Sequence, residues 1–318
     1  MRDTQDDSVD RREWYVLYNP ASGRGRRAGA RGLLEGHLRS VGIDFELHET
    51  LDAADAESSA RKAFAGGWKN FAIAGGDGTA HAVVNGVLSN ERPIAESVTI
   101  GILPIGSGND WARSFGVPKS IEEACRLLER GKAVPSDVAE VACMREDRLV
   151  KRFAVNAVGA GFDAYIVRLT QALGSGPLQY WSGVIRGARD FRSPWIKVVA
   201  DGWEHSGATL TVLASIGRFL GGGMRIAPQA KFDDGRFEVT IIEEMGAAGI
   251  ISLVPRLVMG SLAAKRQVRV ERARSLRLEG QVDIQGDGEL LGRPPATLRI
   301  IPRAIQVMAD PAGLARQL

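Results

Sequence analysis

The sequence predicts two domains of different texture: an α/β domain on a parallel, doubly wound sheet, then a β-sandwich-like domain. Three observations carry this. Short apolar runs alternate with amphipathic stretches up to about residue 135, strand-like runs dominate after it, and three glycine-rich loops in the first half each follow an apolar run directly. The length of 318 residues fits two domains at roughly 150 residues each.

In the first half, Trp14–Tyr18 is a continuous apolar run, as a strand covered on both faces requires. Residues 28–41 carry Ala30, Leu34, Leu38 and Val41 at helical spacing. Ile43–Leu47 is a second strand, 52–65 an alanine-rich helix and Phe71–Ala74 a third strand. Thr79–Ser89 is a helix with Ala80, Val83, Val84, Val87 and Leu88 on one face, and Val98–Leu103 a fourth strand. Ser120-Ile-Glu-Glu123 is a capping box opening a helix that ends near Gly131. Such alternation places ligands at the carboxyl ends of the strands. Further on, strands are expected at 137–142, 150–158, 195–201, 207–215, 236–242, 267–271, 274–279 and 297–301, with helical patches at 162–173, 178–190 and 247–260. Residues 1–11 read as a mobile tail. The expected domains are 12–135 with a returning segment 302–318, and 136–301 between them.

Composition narrows the function. An apolar share of 44% and a charged share of 25% are ordinary globular values and exclude collagen-like, coiled-coil or wholly disordered chains. A net charge of +3 is too mild to argue for nucleic acid. Cys125 and Cys143 form no CxxC pair and the four histidines are scattered, which speaks against zinc or a disulfide scaffold. The polar start has no apolar signal region, and the most apolar long stretch, Gly249 to Ala264, is interrupted at Pro255 and too short for a membrane span. A cytoplasmic protein is expected.

The loops point to phosphate. Asn19-Pro-Ala-Ser-Gly23 follows the first strand, Gly75-Gly-Asp-Gly-Thr79 joins the third strand to a helix, and Leu103-Pro-Ile-Gly-Ser-Gly-Asn-Asp110 follows the fourth. Glycines let the backbone approach an anion, and the helix behind the second loop offers free N–H groups and its positive dipole end. Asp77 sits awkwardly beside phosphates unless a metal, a water or a substrate hydroxyl offsets it, which hints at catalysis. The Walker pattern and the GxGxxG fingerprint are both absent.

Tyr18-Asn-Pro-Ala-Ser-Gly23, Ala74-Gly-Gly-Asp-Gly-Thr79 and Leu103 through Arg113, followed by Gly222-Gly-Met-Arg-Ile-Ala-Pro228, Ala230-Lys-Phe-Asp-Asp-Gly235 and Gly286-Asp-Gly-Glu289, resemble the diacylglycerol kinase catalytic-domain family, which includes sphingosine and ceramide kinases. The resemblance runs from about 14 to 309. It implies a nucleotide domain of the NAD-kinase/phosphofructokinase-like kind and ATP-dependent phosphorylation of a lipid hydroxyl, diacylglycerol foremost. By resemblance, Asn19, Pro20, Ala21, Ser22, Gly23, Thr50, Gly75, Gly76, Asp77, Gly78, Thr79, His81 and Ser107 would line the nucleotide. Asp287 would be the general base, with Glu289 setting its geometry and Asp77 sharing the catalytic role. Asp234 would bind a regulatory or structural Mg²⁺ together with the backbone carbonyls of Lys231 and Arg236, and a second Mg²⁺ would arrive with the nucleotide.

Two departures stand out. His81 occupies a usual asparagine position and Ala82 a usual acidic one; His81 can still donate to phosphate. Arg24, Arg26, Arg27 and Arg31 could meet phosphate or anionic headgroups, and Tyr165, Tyr180, Trp181 and Trp195 a membrane interface, although core packing suits most of these aromatics better. The expected partner is a lipid at a membrane surface, bound peripherally, with a homodimer allowed. The competing functions are a soluble-substrate kinase of NAD-kinase type, disfavoured by the Asp-Asp-Gly and Asp-Gly-Glu segments, and a nucleotide sensor without turnover.

Overall fold

Strand β16 (Glu289–Ala309) runs through both halves of the molecule and organises them. In the computed structural model, which describes residues 13–23, 28–89, 98–173, 184 and 186–315, the end of β16 pairs in parallel with β4 (Thr99–Pro104), Gln306 opposite Thr99 and Val307 opposite Ile100. From β4 the parallel ladder continues to β3 (Asn70–Gly75), β1 (Trp14–Tyr18) and β2 (Phe45–Glu49). Helices α1 (Ala30–Ser40), α2 (Ala53–Ala65), α3 (Asp77–Leu88), α4 (Asp110–Ser114) and α5 (Ile121–Arg130) alternate with these strands. The core between them holds Trp14, Leu17, Phe71, Ile100, Val83, Leu128 and, from the far end of the chain, Ile305 and Val307.

Strand β5 (Lys132–Arg145) lies antiparallel along β16 from Ala309 back to Arg293. The boundaries expected near 135 and 302 therefore fall inside one paired ladder, where the register shifts between Ile301 and Ile305. Beyond the shift the sheet closes into a sandwich. One arm runs from β16 through β14 (Ser275–Gly280) and β8 (Trp195–Ala200) to β9 (Trp203–Ser215). The other runs through β15 (Ile284–Gly286) and β7 (Ala157–Gly161) to the far end of β9, then β12 (Phe237–Glu243) and β13 (Val268–Ala273). Ile196, Val198, Val212, Phe237, Leu276 and Leu298 fill the space between them. Strand β6 (Arg148–Ala154) extends β5, and a small hairpin of β10 (Phe219–Leu220) and β11 (Met224–Arg225) stands apart.

The parallel sheet and the sandwich match the predicted fold class, with local differences that have physical causes. The run 150–158 is two strands, because the N–H groups of Val155 and Asn156 leave the ladder for the Asp287 carboxylate. The strands seeded at 137–142 and 297–301 extend much further, because β5 and β16 template one another through polar residues. Helix α4 has five residues, too few to show a period. Ser120 caps α5 as expected, accepting from Glu123 N–H, and α6 (Phe162–Leu173) matches its predicted range. The patch at 247–260 divides into α7 (Ala247–Ile251) and α8 (Val254–Met259). Of the 178–190 patch, residues 184 and 186–190 are described, and they are helical. The expected tail, Arg24, Arg26, Arg27, Tyr180 and Trp181 lie outside the described residues. Arg31 is turned toward Glu35 and Glu49. Tyr165 stacks on Phe191, whereas Trp195 is 53% exposed. Both cysteines are buried and free.

One buried carboxylate opposes this packing. Glu238 of β12 is 5% exposed, its Oε2 has no hydrogen-bond partner, and burial pushes its carboxyl up to about 7. Its folded value exceeds the unfolded one, so its protonated form favours folding at low pH and that benefit is lost as pH rises toward 7. We expect Glu238→Gln to raise the melting temperature at pH 8 and change it little near pH 4.5, with a gain on the order of 2 kcal/mol; denaturant titrations at both pH values check this.

Candidate active site

The three glycine-rich loops touch one another at the carboxyl ends of β1, β3 and β4. Gly106 N–H donates to the Gly75 carbonyl at 3.1 Å, and Asn19 Nδ2 donates to Thr79 Oγ1 at 2.9 Å. A Cβ on Gly106 would fall 2.4 Å from Gly76 Cα, so glycine is required for this approach. Ser22 Oγ lies against Gly76, and the Gly23 turn closes on Ile105 and Gly106 with φ 37°. Thus Asn19, Pro20, Ala21, Ser22 and Gly23 face Gly75, Gly76, Asp77, Gly78 and Thr79 across one groove floor. No side chain caps α3 at Gly76, and its first turn opens into the groove with a positive dipole end. Ser107 is exposed and lines a groove of about 210 Å³ with Gly106, Asn109, Arg113 and Lys119. Thr50 is 2% exposed and its hydroxyl donates to Tyr18 O at 3.3 Å, so it braces the strand end before Asn19.

Asp287, from the other end of the chain, folds onto this floor. It adopts φ 53° in the turn between β15 and β16. Its Oδ1 accepts from Asn156 N–H at 2.8 Å and Ala157 N–H at 3.1 Å. Its Oδ2 accepts from Val155 N–H at 2.8 Å and pairs with His81 Nδ1 at 3.1 Å. Four contacts engage the roughly four lone-pair sites of a carboxylate. His81 lies on the inward side of α3, buried, with Nδ1 toward Asp287. Glu289 stands two residues on, with Oε1 3.4 Å from where a Cβ on Gly78 would sit. It therefore lies over the first turn of α3.

Asp77 and Asp287 line one cavity of about 250 Å³ with Asp110 and Asp163. Asp77 accepts from the N–H groups of Asp110 at 3.2 Å and Trp111 at 3.1 Å, so it caps α4 from α3. Burial raises its pKa despite those bonds, and the Asp287 charge adds to the rise. Asp110 accepts from Gly222 N–H at 2.8 Å; burial first, then the Asp77 charge, pushes it up to about 6. Its Oδ1 is buried without a hydrogen-bond partner. Asp163, at the start of α6, accepts from Gln285 Nε2 at 2.8 Å and Thr211 Oγ1 at 2.9 Å, and burial raises it as well. Sequence reasoning assigned no role to Asp110 or Asp163. Gly159 carried a signal for the second: a Cβ there would lie 1.6 Å from Asp163 Oδ2.

The Asp233-Asp234-Gly235 turn lies apart from this cavity's lining. Asp234 Oδ2 contacts Arg272, and its Oδ1 accepts from Arg236 N–H at 3.1 Å. Asp137, also missed in the sequence, is fully buried beneath the turn and accepts from Gly235 N–H at 2.7 Å and Arg303 N–H at 2.8 Å. Among the described residues no group of three or more His, Cys, Asp or Glu is arranged to hold a metal.

With the geometry in place, comparisons fix the class. Residues 13–141 match the family model described as diacylglycerol kinase catalytic domain, and 156–309 match the YegS C-terminal NAD kinase beta sandwich-like domain. A diacylglycerol kinase of Mycobacterium tuberculosis is 27% identical over 306 residues, covering 94% of this chain and 95% of that one. One from Bacillus subtilis is 26% identical over 319 residues, covering 95% and 98%. A diacylglycerol kinase structure from Bacillus anthracis superposes with a TM-score of 0.70 at 21% identity, covering 95% of this chain and 98% of that chain. Yeast NADH kinase complexed with NADH shares the fold more distantly, with a TM-score of 0.52 at 12% identity, covering 96% and 86%. Fold and matches together define a lipid kinase. The chain belongs to the diacylglycerol kinase catalytic-domain family.

The cavity depends on how α3 is fastened to the second half. Asn85, 1% exposed, donates through Nδ2 to the carbonyls of His81 and Phe153, each at 2.8 Å, and its Oδ1 accepts from Phe153 N–H at 2.9 Å. Replacing it with alanine strands both polar groups of Phe153. We expect Asn85→Ala to cost on the order of 2–3 kcal/mol in urea unfolding, and Asn85→Asp to cost no less, because its carboxylate would face two carbonyls.

Proposed function

We propose that this protein transfers the γ-phosphoryl group of ATP to the hydroxyl of a membrane lipid, diacylglycerol giving phosphatidic acid. The observation that carries the reading is the shared cavity, in which Asp287 and Asp77 meet beside a glycine-built phosphate floor. Asp163 and Leu220 line both this cavity and a second, apolar one of about 80 Å³. Phe162, Ile166, Leu213 and Leu257 line the apolar side, which suits an acyl chain, whereas a dinucleotide would need polar partners there.

In this reading the triphosphate lies on the N–H groups of the three loops, with Ser107, Arg113 and Lys119 alongside. The acceptor oxygen attacks the γ-phosphorus in line, the bond to the β–γ bridging oxygen breaks, and ADP departs with that electron pair. The acceptor proton passes to a carboxylate. Asp77 suits this better than Asp287, because burial makes it a stronger base while four donors already occupy Asp287. Asp287 holds the geometry, and Glu289 adds charge over the α3 turn. Mg²⁺ carried by the nucleotide would meet Asp77 and Asp110, whose Oδ1 has the Arg113 guanidinium 3.9 Å away, and would neutralise phosphate charge there. A structural Mg²⁺ is proposed at Asp234 with the carbonyls of Lys231 and Arg236. The donor set is hard oxygen, and the Arg272 guanidinium already supplies positive charge at that carboxylate.

Radiolabelled ATP offered with a lipid panel and with NAD, resolved by thin-layer chromatography, tests the reading; label on NAD alone refutes it. Asp77→Asn should lower kcat by about 10²-fold or more with nucleotide binding retained. Asp287→Asn should lower kcat comparably and also reduce the melting temperature, because an amide NH₂ would oppose backbone N–H groups. Mg²⁺ should raise the melting temperature of the wild type but not of Asp234→Ala; equal shifts would remove the structural ion.

A further inference from the structure

The segment from Gly246 to Ala264 carries a single charge, Arg256, yet lies at the surface. Its inner side is spent on the apolar cavity: Ile250 and Leu253 are buried, and with Val254 and Leu257 they line it. Its outer side is apolar as well. Ile251 is 52% exposed, Val258 61% and Met259 67%, and α8 contains no buried residue. Ser252 and Leu253 keep right-handed helical dihedrals between α7 and α8, so Ile251, Pro255, Val258 and Met259 recur at helical spacing on the outside. A helix that is apolar all round belongs inside a protein or in lipid.

Charge around this stripe selects the occupant. Arg225 packs against Gly260 beside α8 and is exposed, Arg256 lies within α8, and Lys265 and Arg266 follow the short 3₁₀ turn at Leu262–Ala264. The nearest acids in sequence, Glu243 and Glu244, stand before α7 at the end of β12. An apolar stripe bordered by cations complements an anionic bilayer. Face-to-face pairing of two copies would instead set these cations against their own counterparts.

Building on the lipid-kinase reading, we propose that the 247–264 cap is the surface by which this protein docks on an anionic phospholipid bilayer. Ile251, Val258 and Met259 enter the headgroup–acyl boundary, and the cations meet lipid phosphates. The inner face of the same helices guides an acyl chain toward Leu220 and Asp163, which line both cavities. Docking and substrate entry thus use opposite sides of one element.

The test uses the full-length protein with sucrose-loaded vesicles of phosphatidylcholine alone, or of phosphatidylcholine mixed with phosphatidylglycerol. Wild type should sediment with the mixed vesicles, and less as salt rises. The double variant Val258→Glu/Met259→Glu should lose about tenfold or more in vesicle affinity. Its melting temperature and its activity on a dispersed short-chain diacylglycerol should be unchanged. Arg266→Glu should weaken binding and flatten its salt dependence. Undiminished sedimentation of the double variant overturns the proposal. So does a wild-type dimer that this variant splits while vesicle binding persists, since the face would then be an interface between copies. Loss of vesicle binding in a protein that phosphorylates no lipid would uphold the docking surface and refute the lipid-kinase reading; lipid phosphorylation with vesicle binding unaffected would do the reverse.

Discussion

Everything in the centre of this molecule depends on how one carboxylate is held. Asp287 receives the consecutive N–H groups of Val155, Asn156 and Ala157 and the imidazole of His81. Hydrogen bonds to an ionised acceptor in a buried site are worth about 1.5–3 kcal/mol each, and stranding the amides would be costlier still. The clamp interrupts the strand between β6 and β7 and holds the left-handed turn at residue 287. It also draws the hairpin of β15 and β16 over the first turn of α3. Asn85 and the paired Arg152 and Glu57 fasten the same helix layer to β6.

The floor built by the three glycine-rich loops follows a different logic. Its contacts are made by main chain, and glycine is needed where loops cross, at Gly106 against Gly76 above all. The cavity beside it carries four aspartates, of which Asp77, Asp110 and Asp163 are raised by burial. Four acids in a small volume are an unfavourable arrangement for the empty protein. That cost is one the proposed handling of a cation and a hydroxyl proton would offset. Preorganised sites store such strain rather than relieve it.

Much of this was legible in one dimension. Trp14–Tyr18 announces a doubly covered strand, and Gly75–Thr79 a strand-to-helix phosphate turn, because both depend on neighbours in the chain. His81 was placed on the right helix but its contact with Asp287 was not foreseen, because spacing reports which face a residue occupies and not what a distant segment brings to it. Asp163 was invisible as a cavity residue for the same reason.

Local chemistry therefore determined the elements, the glycine loops and the family: period, turn residues and capping are properties of adjacent residues. Tertiary structure alone decided that β5 and β16 run through both halves, that Asp163 joins residues 77, 110 and 287 in one cavity, and that a short apolar stretch at 247–264 is exposed on one side and cavity-lining on the other. Those outcomes rest on pairings between residues far apart in sequence, whose energies depend on geometry that no single segment encodes.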